Sequence, residues 1–224
     1  MEKVCVAVLG APRSGTSAVA GLLHHLGVDM GRNFLEPNVH NPKGFYEDLD
    51  FLNVHAVACG GVEDPRVEPV WRPDLAEEYV HLIRRRCAEG DAWGVKDPRL
   101  CMTLPQFAAT VREAGVPLKV VATVRTPHHS VHSLMKLHGG MAAQRAAELL
   151  GRYTYARSLN TERWLAERPE NIASLFQLVY DDLVDDPRGQ AERLCKFLGL
   201  PAERVTDEAV AWVEPGLRHQ TAAY

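Results

Sequence analysis

The sequence predicts an α/β protein, a three-layer sandwich in which helices cover both faces of a central parallel sheet. Three observations lead there. Short apolar, β-branched runs alternate with stretches of helical period along the 224 residues. The first run, Val4–Leu9, passes through a glycine-framed loop straight into a helical pattern. Cationic residues follow three of the runs, at Arg13, Lys96 and Arg125, and parallel sheets bind ligands beyond the carboxyl ends of their strands.

Val4–Leu9 reads as a buried strand. After the loop, Val19, Leu22, Leu23 and Leu26 fall at i, i+3, i+4 and i+7 of a helix that Gly27 stops. His24-His25 at its end suits the negative pole of the helix dipole. Residues 28–50 are rich in Gly, Asn and Pro and form a long connection, the kind that carries function in compact domains. Leu49, Leu52, Val54 and Ala56 suggest a short helix, and Glu63–Pro73 a proline-broken loop. Asp74 with Glu77 reads as a capping box for a helix whose apolar stripe is Leu75, Tyr79, Leu82 and Ile83. Ala92–Val95 is a second strand, running into Lys96-Asp97-Pro98-Arg99, and a helix over Leu104–Ala114 follows. Leu118–Val124 is a third strand, and Thr126-Pro127 starts a helix over His128–Leu137. Gly139-Gly140 separates that helix from a long one, Met141–Glu167. Ile172–Tyr180 is the last strand. Asp186-Pro187 opens a helix that Gly199 closes, and a short helix near Thr206–Val213 precedes an irregular tail. No repeat, low-complexity run or linker divides the chain, so residues 1–224 are expected to form one domain.

Composition narrows the function. A net charge of −4 and a pI near 6.2 argue against a general nucleic-acid surface. The five cysteines contain no C-x-x-C pair and read as reduced thiols of the core. The apolar run before Gly10 is too short for a secretory or membrane-spanning segment, so a cytoplasmic protein without a membrane partner is expected. His128 and His132 stand at i, i+4, a metal-binding spacing, but nothing suggests a third ligand, and they are read as a helix face.

The loop Gly10-Ala11-Pro12-Arg13-Ser14-Gly15-Thr16-Ser17 carries the chemistry. Its Gly10-x-x-x-x-Gly15 spacing is that of the phosphate-binding P-loop, with Ser17 at the hydroxyl position. Backbone N–H groups of such a loop converge on one spot, and the helix dipole favours an anion there. Thr16 replaces the lysine that reaches the terminal phosphates of a nucleoside triphosphate; the loop's cation is Arg13. Arg125, with Ser133 two turns into the next helix, supplies the parts of a second anion clamp.

Together these segments resemble the sulfotransferases that use 3′-phosphoadenosine 5′-phosphosulfate, particularly the bacterial branch. Pro12–Ser17 is similar to their 5′-phosphosulfate motif, and Val124-Arg125-Thr126-Pro127 through Ser133 to their 3′-phosphate motif. Tyr180–Pro187 with Phe197-Leu198-Gly199-Leu200, the Asn41–Glu47 run and Lys96–Arg99 also resemble segments of that family. The resemblance implies a P-loop NTPase-like fold and that nucleotide as sulfuryl donor, with no metal. It implies donor contacts from Arg13, Ser14, Gly15, Thr16, Ser17, Arg125 and Ser133, and a second cation, Lys96, near the sulfuryl group. It also implies a Glu or His as base toward the acceptor hydroxyl or amine. Glu47 is favoured among Glu47, Glu36, Asp48, His40 and His55, with Asp97 a further candidate. Glu36, Asp97 and Arg99 are read as acceptor contacts, and residues 28–50 as the acceptor-side loop. The acceptor is left as a small molecule, glycan or natural product, and oligomeric state stays open. In relatives a basic C-terminal segment covers the nucleotide; Arg218-His219 is a loose match to it.

Two other readings stand beside this one. In a P-loop kinase or NTPase, Leu178–Asp182 would imitate a strand ending in the metal-binding aspartate. The other is a nucleotide-binding module without catalysis.

Overall fold

The structure, a computed structural model, describes residues 3–39, 41–61 and 64–214. Four strands, β1 (Val4–Leu9), β2 (Ala92–Lys96), β3 (Leu118–Val124) and β4 (Leu175–Val179), pair in the order β2-β1-β3-β4, all parallel. Side chains alternate across a strand, and β1 shows it directly. Val4, Val6 and Val8 enter one hydrophobic cluster with α1 (Thr16–His25) and α8 (Pro187–Leu198); Cys5, Ala7 and Leu9 enter another. The second cluster packs α2 (Leu49–Ala58), α3 (Pro73–Glu89), α4 (Leu100–Glu113) and α6 (Ala143–Glu167) on the opposite face. Both faces of β1 are therefore dry, which is why it reads as a continuous apolar run.

The chain leaves β1 toward β2, then crosses back through α4 to pair β3 on the other side of β1. Ligand crevices form where the direction reverses. The register brings Val8 beside Lys96 and Leu9 beside Ala122. The ends of β1, β2 and β3, and whatever follows them, therefore share one rim.

The remaining helices are α5 (Pro127–Leu137), α7 (Tyr180–Asp185) and α9 (Asp207–Ala211). Several sequence expectations move by a few residues. Pro73 enters α3 as its first residue and makes Arg72 the cap, so Asp74 lies inside the first turn and forms no capping box. β2 extends through Lys96. α4 starts at Leu100 rather than Leu104, directly after a turn in which the Arg99 N–H donates to the Asp97 carboxylate. Ile172 belongs to a 3-10 turn, Pro169–Ser174, and Tyr180 opens α7. The long helix begins at Ala143. The burial of His24, with His25 beside it, lowers its pKa, so it is a weaker partner for the helix pole than its position suggests.

Pro105 lies inside α4 and offers no N–H to the Cys101 carbonyl four residues earlier. Asn160, buried on α6, takes that place: its Nδ2 donates to Cys101 O at 2.8 Å. Asn160→Ala is expected to lower stability by about 1–3 kcal/mol, the cost of a buried unsatisfied carbonyl. Pro105→Ala returns the in-helix donor, so the double variant should lose less than Asn160→Ala alone. Urea midpoints of the three variants check this, and a double variant no more stable than the single one would count against it.

Candidate active site

The loop after β1 turns through two left-handed residues, Arg13 at φ 66° and Gly15 at φ 94°. At Gly15 a side chain is also excluded by space, since a Cβ would come within 2.1 Å of the Tyr180 ring. Ser14 Oγ closes the turn by donating to Ala11 O at 2.7 Å. α1 then begins at Thr16 with Gly15 as its cap and no side chain on its first N–H groups. These are the donors the sequence expected to meet an anion.

The segment after β3 packs onto this loop. Arg125 Nη1 donates to Arg13 O at 3.2 Å, and Ser130 Oγ to the same carbonyl at 3.4 Å. Arg13 Nε donates to Ser133 Oγ at 2.9 Å. The Arg125 guanidinium lies 4.7 Å from the centre of the Tyr180 ring. Burial, with Arg125 close by, lowers the Arg13 pKa, so an anion between the two guanidiniums would relieve their repulsion. Arg13, Arg125 and Ser133 thus meet at one place.

A second group of residues lies at the end of β2. Lys96, only 3% exposed, forms an ion pair with the buried Glu47 carboxylate. The Lys96 Nζ also donates to Ser17 Oγ at 3.2 Å, and Asn41 Nδ2 donates to the same oxygen at 3.2 Å. Burial raises the Glu47 pKa, partly opposed by Lys96 and reinforced by Asp97. A cavity of about 280 Å³ opens between the two groups, lined by Arg13, Gly15, Thr16 and Ser17, by Arg125 and Tyr180, and by Glu47 and Lys96. Lys43 and Trp212 stand at the same cavity: Lys43 Nζ donates to Trp212 O at 2.5 Å, pairs with Glu214 at 2.7 Å and sits 4.4 Å from the centre of the Trp212 ring.

The other sequence candidates lie elsewhere. Asp97 is 1% exposed and turned away from the cavity: it pairs with His55 Nδ1 at 3.0 Å and Arg99 Nη1 at 3.2 Å. His55 Nε2 in turn meets the Tyr79 hydroxyl at 2.8 Å. With Asp97 ionised, Nδ1 donates to it, and Nε2 is left facing the Tyr79 hydroxyl. This chain ties β2 to α2 and α3 and leaves His55 no route to a substrate. Glu36 is exposed on the loop, and Asp48 caps α2 by accepting from the Asp50 N–H. His40 and the Pro215–His219 tail lie outside the described residues. Sequence reasoning did not assign Ser130, Tyr180, Asn41 or Trp212 to the site, although Tyr180 and Asn41 stood in segments it quoted. Ser130 had a signal, one helical turn before Ser133; so had Tyr180, directly after β4, beside the end of β3. Asn41 was marked only as the first residue of the Asn41–Glu47 run, and nothing local marked Trp212. Among the described residues there is no cluster of three His, Cys, Asp or Glu suited to a metal, and no helix long and apolar enough to cross a membrane.

The sequence matches the Sulfotransferase family over residues 6–204. None of the curated proteins matches. Among solved structures, the fold is similar to the sulfotransferase domain of the Synechococcus PCC 7002 olefin synthase, with a TM-score of 0.56 and 19% identity over 93% of this chain and 76% of that one. It is also similar to sulfotransferase STF1 of Mycobacterium tuberculosis H37Rv, with a TM-score of 0.52 and 18% identity over 95% and 71%. The sulfotransferase domain of the curacin biosynthetic pathway gives 0.50 and 18% over 94% and 77%.

Burial alone would raise the Asp97 pKa, but His55 and Arg99 hold it below its ordinary 3.8. A carboxyl lowered on folding contributes stability that is complete above its unfolded value and is lost as pH falls through the folded one. Asp97→Asn should therefore be less stable than the parent at pH 7 and converge on it below about pH 4. Denaturant unfolding across pH 2–7 reads the difference; a gap that stayed constant across that range would contradict it.

Proposed function

Because the chain belongs to the sulfotransferase family, we propose that it moves a sulfuryl group from 3′-phosphoadenosine 5′-phosphosulfate to an acceptor hydroxyl or amine, with no divalent ion required. The observation that carries this reading is the convergence of two basic groups on one cavity: Arg13 and Arg125 at one end, with Ser133 hydrogen-bonded behind Arg13, and Lys96 with Ser17 at the other. A donor with a 3′-phosphate and a 5′-phosphosulfate needs two such seats. Arg125 and Ser133 would hold the 3′-phosphate and the loop N–H groups with Lys96 the 5′ end, while Arg13, a loop residue whose guanidinium reaches Ser133, would serve the 5′ end from the side of the other seat.

In the reaction the acceptor oxygen or nitrogen forms a bond to sulfur as the bond from sulfur to the 5′-phosphate oxygen breaks. The acceptor proton passes to the Glu47 carboxylate, and adenosine 3′,5′-bisphosphate leaves. Little covalent chemistry falls to the protein, so rate comes from alignment and from cations at the oxygens that gain charge. Glu47 suits the base because it lines the cavity and burial raises its basicity.

The kinase or NTPase reading is less well supported. Its metal-binding aspartate would have to come from the end of β4, but β4 is the edge strand and β3 stands between it and β1. Asp181 there accepts from Thr126 Oγ1 at 2.8 Å and does not line the cavity that Ser17 lines.

Turnover of the donor in the presence of EDTA, with release of the bisphosphate, tests the reading. Its absence with every hydroxyl and amine acceptor tried, or a strict need for Mg²⁺, would reject it. Arg125→Ala should weaken binding of adenosine 3′,5′-bisphosphate by about 1.5–3 kcal/mol and leave adenosine 5′-phosphate nearly unaffected, as calorimetry would show. Equal losses for both nucleotides would remove the 3′-phosphate role. Because the Glu47 pKa is raised, kcat/KM should climb with pH through a limb above the usual value of 4.5, and Glu47→Gln should abolish both the limb and most of the rate.

A further inference from the structure

In the loop of nucleoside triphosphatases the hydroxyl at the position of Ser17 ligates Mg²⁺, and the ion bridges to the terminal phosphates. Here that oxygen accepts two N–H groups, from Lys96 Nζ and Asn41 Nδ2, both at 3.2 Å. A hydroxyl accepts twice and donates once, so the Ser17 proton is left to point at a third partner. The Lys96 ammonium also holds the Glu47 carboxylate. Its surroundings are thus one hydroxyl oxygen and one carboxylate, the oxygen ligands that Mg²⁺ and Mn²⁺ take. An ammonium has three N–H groups, and among the described residues two are engaged, by Ser17 and Glu47, which leaves one for an anion in the cavity that Lys96 lines. The placement is built into the sheet. β2 is hydrogen-bonded to β1 with Lys96 opposite Val8, so the side chain rises beside the loop that β1 feeds.

We propose that the Lys96 ammonium fills the place that the loop of a nucleoside triphosphatase gives to its divalent ion, so that removing Lys96 turns Ser17 and Glu47 into a divalent-metal site. The charges agree. A terminal sulfuryl group carries one negative charge where a terminal phosphoryl group carries up to two, and a single fixed positive charge matches the former. The ammonium also sheds no water ligands when the anion arrives, because it is already desolvated and held by the protein. This inference rests on the donor reading only for the identity of the anion that Lys96 meets; the metal site itself needs Ser17 and Glu47 alone.

The test is Mn²⁺ binding, followed by the loss of the free-ion electron paramagnetic resonance signal, without nucleotide and with adenosine 3′,5′-bisphosphate. Lys96→Ala and Lys96→Asp are compared with the parent, each checked for folding by circular dichroism. The Asp side chain is shorter, so it leaves the ammonium's place open and adds an oxygen ligand. Either folded variant should bind Mn²⁺ about tenfold or more tightly than the parent, with further tightening when the bisphosphate is bound. Adding Glu47→Gln to Lys96→Ala should abolish the gain. A folded variant that binds Mn²⁺ no better than the parent, or a gain that survives Glu47→Gln, would overturn the inference. Bisphosphate binding to the parent, measured by calorimetry, is a separate readout: its failure would strike the donor reading and leave the Mn²⁺ comparison standing.

Discussion

The anion end of this cleft depends on one carbonyl group. Arg13 adopts a left-handed conformation that costs a residue with a side chain roughly 1–2 kcal/mol. Its carbonyl oxygen receives Arg125 from the end of β3 and Ser130 from α5, and its own guanidinium returns to Ser133. Two hydrogen bonds to one carbonyl, each contributing on the order of 1 kcal/mol, offset the strain. The loop after β1 and the first turns of α5 therefore hold their shape together, and the parallel pairing of β1 with β3 is what brings them into reach.

The opposite end is organised by a buried charge pair. Lys96 and Glu47 come from parts of the chain with different local preferences, a strand end and an irregular loop. Two ions taken out of water are tolerable when each has a second partner, and Ser17 provides one for Lys96. Behind them, Asp97, His55 and Tyr79 form a dry polar chain that fixes β2 against α2 and α3. Asp97 and Lys96 are neighbours in sequence and on opposite sides of the strand, so one faces the cavity and the other the packed helices.

That alternation explains much of what was and was not legible in the sequence. β1, β3 and the cap of α8 at Asp186 were readable because their residues act locally: β-branched runs, and a side chain accepting the N–H three residues on. Arg13, Lys96 and Arg125 were readable because strand ends in a parallel sheet converge. Asp97 was assigned to the acceptor side because spacing alone cannot tell which face a residue beyond a strand will take. α4 starts at Leu100 and not at Leu104 because the Asp97 carboxylate turns the chain by accepting the Arg99 N–H, and Trp212 was invisible because its partner Lys43 lies far away in sequence.

The bond from Asn160 to the Cys101 carbonyl has a consequence for how this sequence can drift. A proline at position 105 is tolerated because a distant amide repairs the backbone it interrupts. Losing Asn160 while Pro105 stays orphans the Cys101 carbonyl, whereas losing Pro105 while Asn160 stays does not strand the amide, because one carbonyl oxygen can accept from both the restored N–H and Asn160. The dependence therefore runs one way: position 105 can change first, and only then is position 160 released from its duty to the helix backbone.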